Sequence, residues 1–310
     1  MSETPVSTKS LVMFPYRGYK PDGNLERLFW KLIEVIRDTT NDPRPTVVLN
    51  RDTEISGTAK AFTEDARTKD LDVQRVWSVD TCQMWLAGWG YVIDNLEQYD
   101  RIVQVPGDIV AVHDEIAFFA ALEVFLSLGE GCELAVGDFS SDTKFSSKDL
   151  IDQYGTYVLL ANWFPSFTKA LLRMQLNRPR SEFLNLKIAT LRHLLTFKKF
   201  AYEQTLELLF RSWDFERQKW KHRITRHVLG TLRDEDAFRQ YRGTLDQIER
   251  TERILKLLWR EMNQPQELSD LAAVQRFLDE YQRLDRISSS SRETAAVTIR
   301  SLLGIASTQV

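Results

Sequence analysis

The stretch RIVQVPGDIVAVHDEIAFFAALEVFLSLGEGCELAVGDF, Arg101–Phe139, decides the fold. RIVQV is short and β-branched, and Pro106 and Gly107 close it. From Glu115 to Leu128 the apolar residues recur at helical steps. GEG breaks that helix, and CELAVG (Cys132–Gly137) reads as the next strand. Strand, helix, strand is a crossover unit, and such units make parallel sheets. One acid, Asp108, stands just past the first of these strands.

The same alternation runs upstream. LVMF (Leu11–Phe14) is a short apolar run ended by Pro15, and LERLFWKLIEVI (Leu25–Ile36) has helical spacing. TVVLN (Thr46–Asn50) and VQRVWSV (Val73–Val79) read as strands, separated by the helical GTAKAFTEDA (Gly57–Ala66). A further helix spans about Cys82–Gln98. The class is α/β, with five strands in a mainly parallel sheet flanked by helices. Ligands of such sheets sit beyond the carboxyl ends of the strands, which directs attention to 15–18, 51–54, 78–81, 106–109 and 138–142.

Past about Trp213 the sequence offers no clear strand, and glycine and proline thin out. Leu245, Ile248, Leu255 and Leu258 lie on one helical stripe, and Leu268, Leu271, Val274, Leu278, Tyr281 and Leu284 on another. The expected organisation is a sheet domain over 9–215 and a helical C-terminal region over 216–310. The second stripe needs a partner surface, either the parent domain or a second copy in a homodimer.

Composition narrows the function. The 310 residues hold 41 basic and 44 acidic side chains, a formal net charge of −3, which argues against a dedicated nucleic-acid binder. Two cysteines exclude both a disulfide scaffold and a four-cysteine zinc site. No apolar run reaches transmembrane length, and MSETPVST has neither the basic start nor the apolar centre of a signal peptide. A cytoplasmic location is the expectation.

The order of these pieces resembles the nucleotide-sugar-binding half of family 2-like glycosyltransferases with the GT-A fold. In that family the second strand runs into an acid-rich turn and a Gly-Thr pair. Here VVLNRDTEISGTAKAF puts Asp52 on the second acid and Gly57–Thr58 on the pair. The fourth strand of the family ends in Asp-x-Asp, matched by VPGDI. A later strand ends in Gly-x-Arg, resembled by LAVGDF. RPRSEFLNLKIATLRHLL and FAYEQTLELLF resemble the family's Asp-Pro-x-Ser-Gly-Phe segment and the helix-rich stretch after it. The resemblance covers about 9–215.

It implies transfer of a hexose from a nucleoside-diphosphate sugar to an acceptor. The departing diphosphate gains charge, which a Mg²⁺ or Mn²⁺ ion held by carboxylates would neutralise. Asp108 is then the metal or ribose–diphosphate contact, and Asp52 touches the base or ribose. Three positions depart from the family pattern. Pro106 stands where the first Asp of Asp-x-Asp belongs, Arg178 where the acceptor's base belongs, and Arg51 where the first acid of the turn belongs. A guanidinium stays protonated and cannot act as a base. Arg17, Arg178 and Arg180 would clamp phosphate by bidentate hydrogen bonds in place of the cation. Glu182, Asp138 and Asp142 remain as candidate bases, and a retaining reaction needs none at that position.

Plainer roles compete for each residue. An acid after a strand also serves as a helix N-cap or turn residue, which applies to Asp108 and Asp52. The arginines suit surface ion pairs, and His113 a solvated loop. Trp77, Trp85 and Trp89 flank the end of the third strand, where they would stack on a base or sugar; core packing explains Trp77 and Trp85 equally well. The rival to a transferase is a non-catalytic binding or scaffold protein that has lost these acids. A nucleotidyltransferase is disfavoured because FPYRGYKPDG is not a glycine-rich nucleotide loop.

Overall fold

The structure is a computed structural model. It describes residues 7–14, 23–50, 58–76, 88–92, 94, 99–107, 114–129, 131–141, 155–194 and 204–232, and then 251–252, 254–256, 258–260 and 262–263. Arg17, Arg51, Asp52, Trp77, Trp85, Asp108, His113 and Asp142 lie outside the described residues, as does the stripe from Leu268 to Leu284. The chain divides into two compact units, Met1–Ser140 with Arg180–Arg233, and Ser141–Pro179 with Asp234–Val310.

The first unit carries the sheet. Its strands are β1 (Thr8–Phe14), β2 (Thr46–Asn50), β3 (Asp72–Val76), β4 (Arg101–Pro106), β5 (Leu134–Ser141), β6 (Leu184–Lys187) and β9 (Ile224–Leu232), in the order β3-β2-β1-β4-β6-β5-β9. β1 pairs in parallel with β2 and β4, and β2 with β3, while β6 runs antiparallel between β4 and β5. β9 runs alongside β5 in the same direction, since Leu134 bonds Arg223 at one end and Ser140 reaches Gly230 at the other. The expected mainly parallel α/β sheet is therefore present. Ile102, Val103 and Val105 of β4 are buried on both faces, as a central parallel strand requires.

Two strands go beyond the sequence expectation. β6 lies in a stretch with helical spacing, and β9 falls in the region expected to be helical from residue 216. A two-stranded hairpin, β7 (Trp213–Asp214) with β8 (Lys219–Trp220), precedes β9. The expected boundary after 215 thus falls inside the first unit, because β9 closes the sheet edge beside β5.

Helix α1 (Asn24–Thr40) covers one face with Leu28, Phe29, Leu32, Ile33 and Ile36, all buried at three- and four-residue steps. It ends at Asn41, whose left-handed φ of 54° accommodates the C-cap. Helix α2 (Thr58–Glu64) brings Phe62 against Phe29 and Trp30. Helix α3 (Glu115–Leu126) lies beside α1 and seats Phe118 against Phe139 of β5 and Phe183. At the opposite end of the strands, Asp42 is buried and holds β1 by accepting from the Lys9 Nζ at 3.2 Å and the Ser10 amide at 2.8 Å.

Gly137 of β5 sits where this face is tightest. A Cβ there would come within 2.6 Å of both Leu229 Cδ1 and Phe183 Cβ. Gly137→Ala is expected to cost about 1–3 kcal/mol of stability by overpacking, read as a lower urea midpoint with an unchanged slope.

In the second unit, α4 (Tyr157–Trp163) and α5 (Pro165–Arg173) pack together, with the Tyr157 hydroxyl donating to Leu176 O at 2.5 Å. Described residues between 251 and 263 are helical, and Ile254, Leu255 and Leu258 are buried. No helix among the described residues is long and apolar enough to cross a membrane.

Candidate functional site

The candidate site is the carboxyl edge of β1, β4 and β5, where the antiparallel β6 begins. β4 ends at Pro106, level with Met13 of β1, and the Gly107 amide donates to Met13 O at 2.5 Å. Proline is tolerated at this last strand position because little of the ladder is left to lose. Asp108 follows Gly107 directly in sequence. The next helix takes its cap from Asp114, whose Oδ1 accepts from the Ile116 amide at 2.9 Å and the Ala117 amide at 3.0 Å. Asp114, not Asp108, is the N-cap of helix α3.

Arg180–Phe183 crosses this edge and is pinned at several points. The Ser181 hydroxyl donates to Gly137 O and accepts from the Phe183 amide at 3.3 Å. Ser181 O accepts from the hydroxyl of Thr205, on helix α7 (Gln204–Arg211), which follows α6 (Ile188–Leu194). Gln104 of β4, fully buried, donates its Nε2 to Glu182 O at 3.2 Å. A backbone fixed at both ends holds Arg180 and Glu182 half-buried beside the end of β4.

Asp138 reaches the same edge in a different state. Its side chain is 0% exposed and its Oδ2 accepts from Arg226 Nε of β9 at 2.5 Å. Strand alternation places it opposite the Phe139 face, on the side to which Gln104 also projects. The pair crosslinks β5 to β9, and a carboxylate so enclosed offers no lone pair to an acceptor arriving from solvent.

The structure thus brings together Glu182, Arg180 and Asp138 in the first unit. Arg178 belongs to the second unit and is 3% exposed, well buried for a guanidinium. Trp89 is fully buried, with the adjacent Gly88 packed against Leu11 and Val48. It is a core residue, which corrects the expectation that it would stack on a sugar or base. Sequence reasoning missed Ser181, Gln104, Thr205 and Arg226. Their partners lie 24 to 88 residues away in sequence, beyond any local pattern.

Among the described residues no three His, Cys, Asp or Glu side chains are grouped to hold a metal ion, and Pro106 presents no ligand.

No protein-family profile matches the chain, and no curated protein matches it in sequence. Among solved structures it is similar to a mannose-1-phosphate geranyltransferase of Thermus thermophilus, at 15% identity over 73% of this chain and 75% of that one, TM-score 0.41. It is also similar to a manganese-complexed protein of Mycobacterium tuberculosis, at 15% identity over 78% and 100% of the two chains, TM-score 0.42. The third is residues 1–349 of TarS from S. aureus, at 13% identity over 96% and 90%, TM-score 0.39. The case for a function rests on the chain's own residues.

Proposed function

We propose that this chain binds a nucleoside-diphosphate sugar at the carboxyl edge of β1, β4 and β5 and transfers its hexose to an acceptor, as a glycosyltransferase of GT-A type. The observation that carries the reading is the pinned segment Arg180–Phe183. Three hydrogen bonds from three distant elements, and a fourth within the segment, hold Arg180 and Glu182 beside the end of β4, two residues before Asp108 in the chain. Preorganisation of this kind places charged groups where a ligand meets the strand ends.

Each residue then has a task. Asp108 and Asp52 orient the donor. Arg180 meets the diphosphate, a role in which a guanidinium replaces part of the cation's charge. Arg17, three residues past β1 in the chain, joins it. Glu182 takes the proton from the acceptor hydroxyl as that oxygen attacks the anomeric carbon and the diphosphate leaves. Glu182 is preferred to Asp138 because Asp138 is sealed from solvent against Arg226. Asp142, just past β5, is the remaining candidate. A divalent cation would shield the departing diphosphate, and no step here requires it.

A non-catalytic sugar-nucleotide binder is the second reading, favoured by Pro106 in place of an acid. A thermal-shift screen of UDP-, GDP- and ADP-sugars, with and without Mn²⁺, tests both. A ligand at 100 times its dissociation constant adds about 2.7 kcal/mol to stability. Binding with sugar release in the presence of acceptors supports the transferase, and binding without turnover supports the second reading. A flat response to all donors overturns both.

A further inference from the structure

Basic side chains gather at the end of the sheet opposite the candidate donor edge. β6 ends at Lys187, level with Arg101 at the start of β4, and the Lys187 amide donates to Glu133 O at 3.0 Å just before β5. Glu133 Oε2 accepts from the Arg223 amide at 2.8 Å, and its Oε1 lies 3.7 Å from His222 Nδ1. The His193 ring of α6 stands 5.7 Å from the His222 ring, with Arg192 beside it. Lys221 closes the β7–β8 hairpin through Ser212 O and reaches Arg211 O with its Nζ at 3.2 Å. Lys187, Arg192, His193, Lys221, His222 and Arg223 are therefore neighbours, and Arg192, His193, Lys221 and Arg223 are exposed.

The surroundings respond to this charge. The Glu133 carboxyl is held below its ordinary value, first by the Arg223 amide and then by His222 and the Arg223 charge. The adjoining hairpin adds half-exposed Phe215 and Trp220, the latter edge-on to Trp213 at 5.0 Å. Across the chain acids outnumber bases by 44 to 41, so the patch is a local asymmetry rather than a general basicity.

We propose that this edge, formed by the amino ends of β5 and β9 and the carboxyl end of β6, is a docking surface for membranes rich in anionic headgroups. Clustered Lys and Arg are drawn to such a surface, and flanking aromatic rings suit its interfacial layer. A polynucleotide would require a continuous basic track, and here Asp214 and Glu216 interrupt the hairpin tip. Docking by this edge leaves the donor edge facing away from the membrane, so the surface stands apart from the reading of that site.

The test is sedimentation of the full chain with vesicles of phosphatidylcholine, with and without phosphatidylglycerol. Binding is expected only with phosphatidylglycerol. It should be lost as salt rises from about 0.1 M to about 1 M, where the screening length falls from about 10 Å to about 3 Å. Each cation near such a surface is worth roughly fivefold in partitioning, so Arg192→Gln with Lys221→Gln and Arg223→Gln should weaken binding on the order of 100-fold. These side chains are exposed, and an unchanged melting temperature confirms that the variant is folded. Lys69→Gln, an exposed cation elsewhere, should leave binding as it was. No binding to anionic vesicles, equal binding to neutral ones, full binding by the folded triple variant, or preference for an oligonucleotide over the vesicles would each overturn the proposal.

Discussion

Arg226→Met is expected to destabilise the sheet-bearing unit by roughly 3–5 kcal/mol, because it removes the ion-pair partner that Asp138 holds at a site with no exposure. The methionine keeps much of the arginine's packing, so most of the loss reports the removal of the guanidinium beside the Asp138 carboxylate. The companion variant, Asp138→Leu with Arg226→Met, replaces both partners by apolar groups of similar size and should recover most of that stability. Chemical denaturation of the two variants against the parent measures the effect. The pair also tests the choice of base. With Glu182 in that role, the double variant keeps donor and acceptor turnover. A stable double variant without turnover would restore Asp138 as the base and displace Glu182.

The contrast between Asp138 and Glu182 shows what the sequence held and what it withheld. Both are acids near a strand end, and nothing local distinguishes them. They part because Arg226 arrives at Asp138 from β9, 88 residues downstream. β9 itself is hard to read, since ITRHVLGTL mixes basic with apolar residues, and among its described side chains only Leu229 is fully buried. As an edge strand beside α3, it buries one side in part, with His227 against Ala121 O at 2.9 Å and Leu229 over Gly137. β6 is hidden for another reason. LNLK runs into α6 without any turn residue, and its leucines continue the spacing of the helix that follows.

The parallel core was legible because its strands are continuous apolar runs bounded by breakers. Leu11, Val12 and Met13, or Ile102 and Val103, cannot be satisfied except by burial on both faces. Of the candidate site, the sequence showed where the strands end and which charged residues follow them. It did not show which backbone segments are fixed. Ser181 has no local signature, yet its hydroxyl ties Gly137 to Phe183 and its carbonyl receives Thr205. Such links are properties of the closed sheet, formed only when β6 enters between β4 and β5.

Asp108→Asn is expected to weaken donor binding roughly 10- to 150-fold, the loss of one charged hydrogen-bonding partner, without lowering stability. Helix α3 is capped by Asp114, which accepts from two amides, so the substitution leaves that cap intact. Isothermal calorimetry with the sugar nucleotide found in the screen measures it. Unchanged affinity would remove Asp108 from the site. Pro106→Asp is the complementary variant, since it restores the acid that the family pattern carries. Pro106 is buried at the end of β4, so a lone carboxylate there should lower stability. A divalent cation shared with Asp108 would offset that cost, and Mn²⁺ should then raise the melting temperature of Pro106→Asp and not that of the parent. That differential shift is the decisive quantity, because a nonspecific effect of Mn²⁺ would move both proteins. A destabilised Pro106→Asp that ignores Mn²⁺ would mean that Asp108 does not face the end of β4. Donor placement would then have to rest on Arg180 and Glu182 alone.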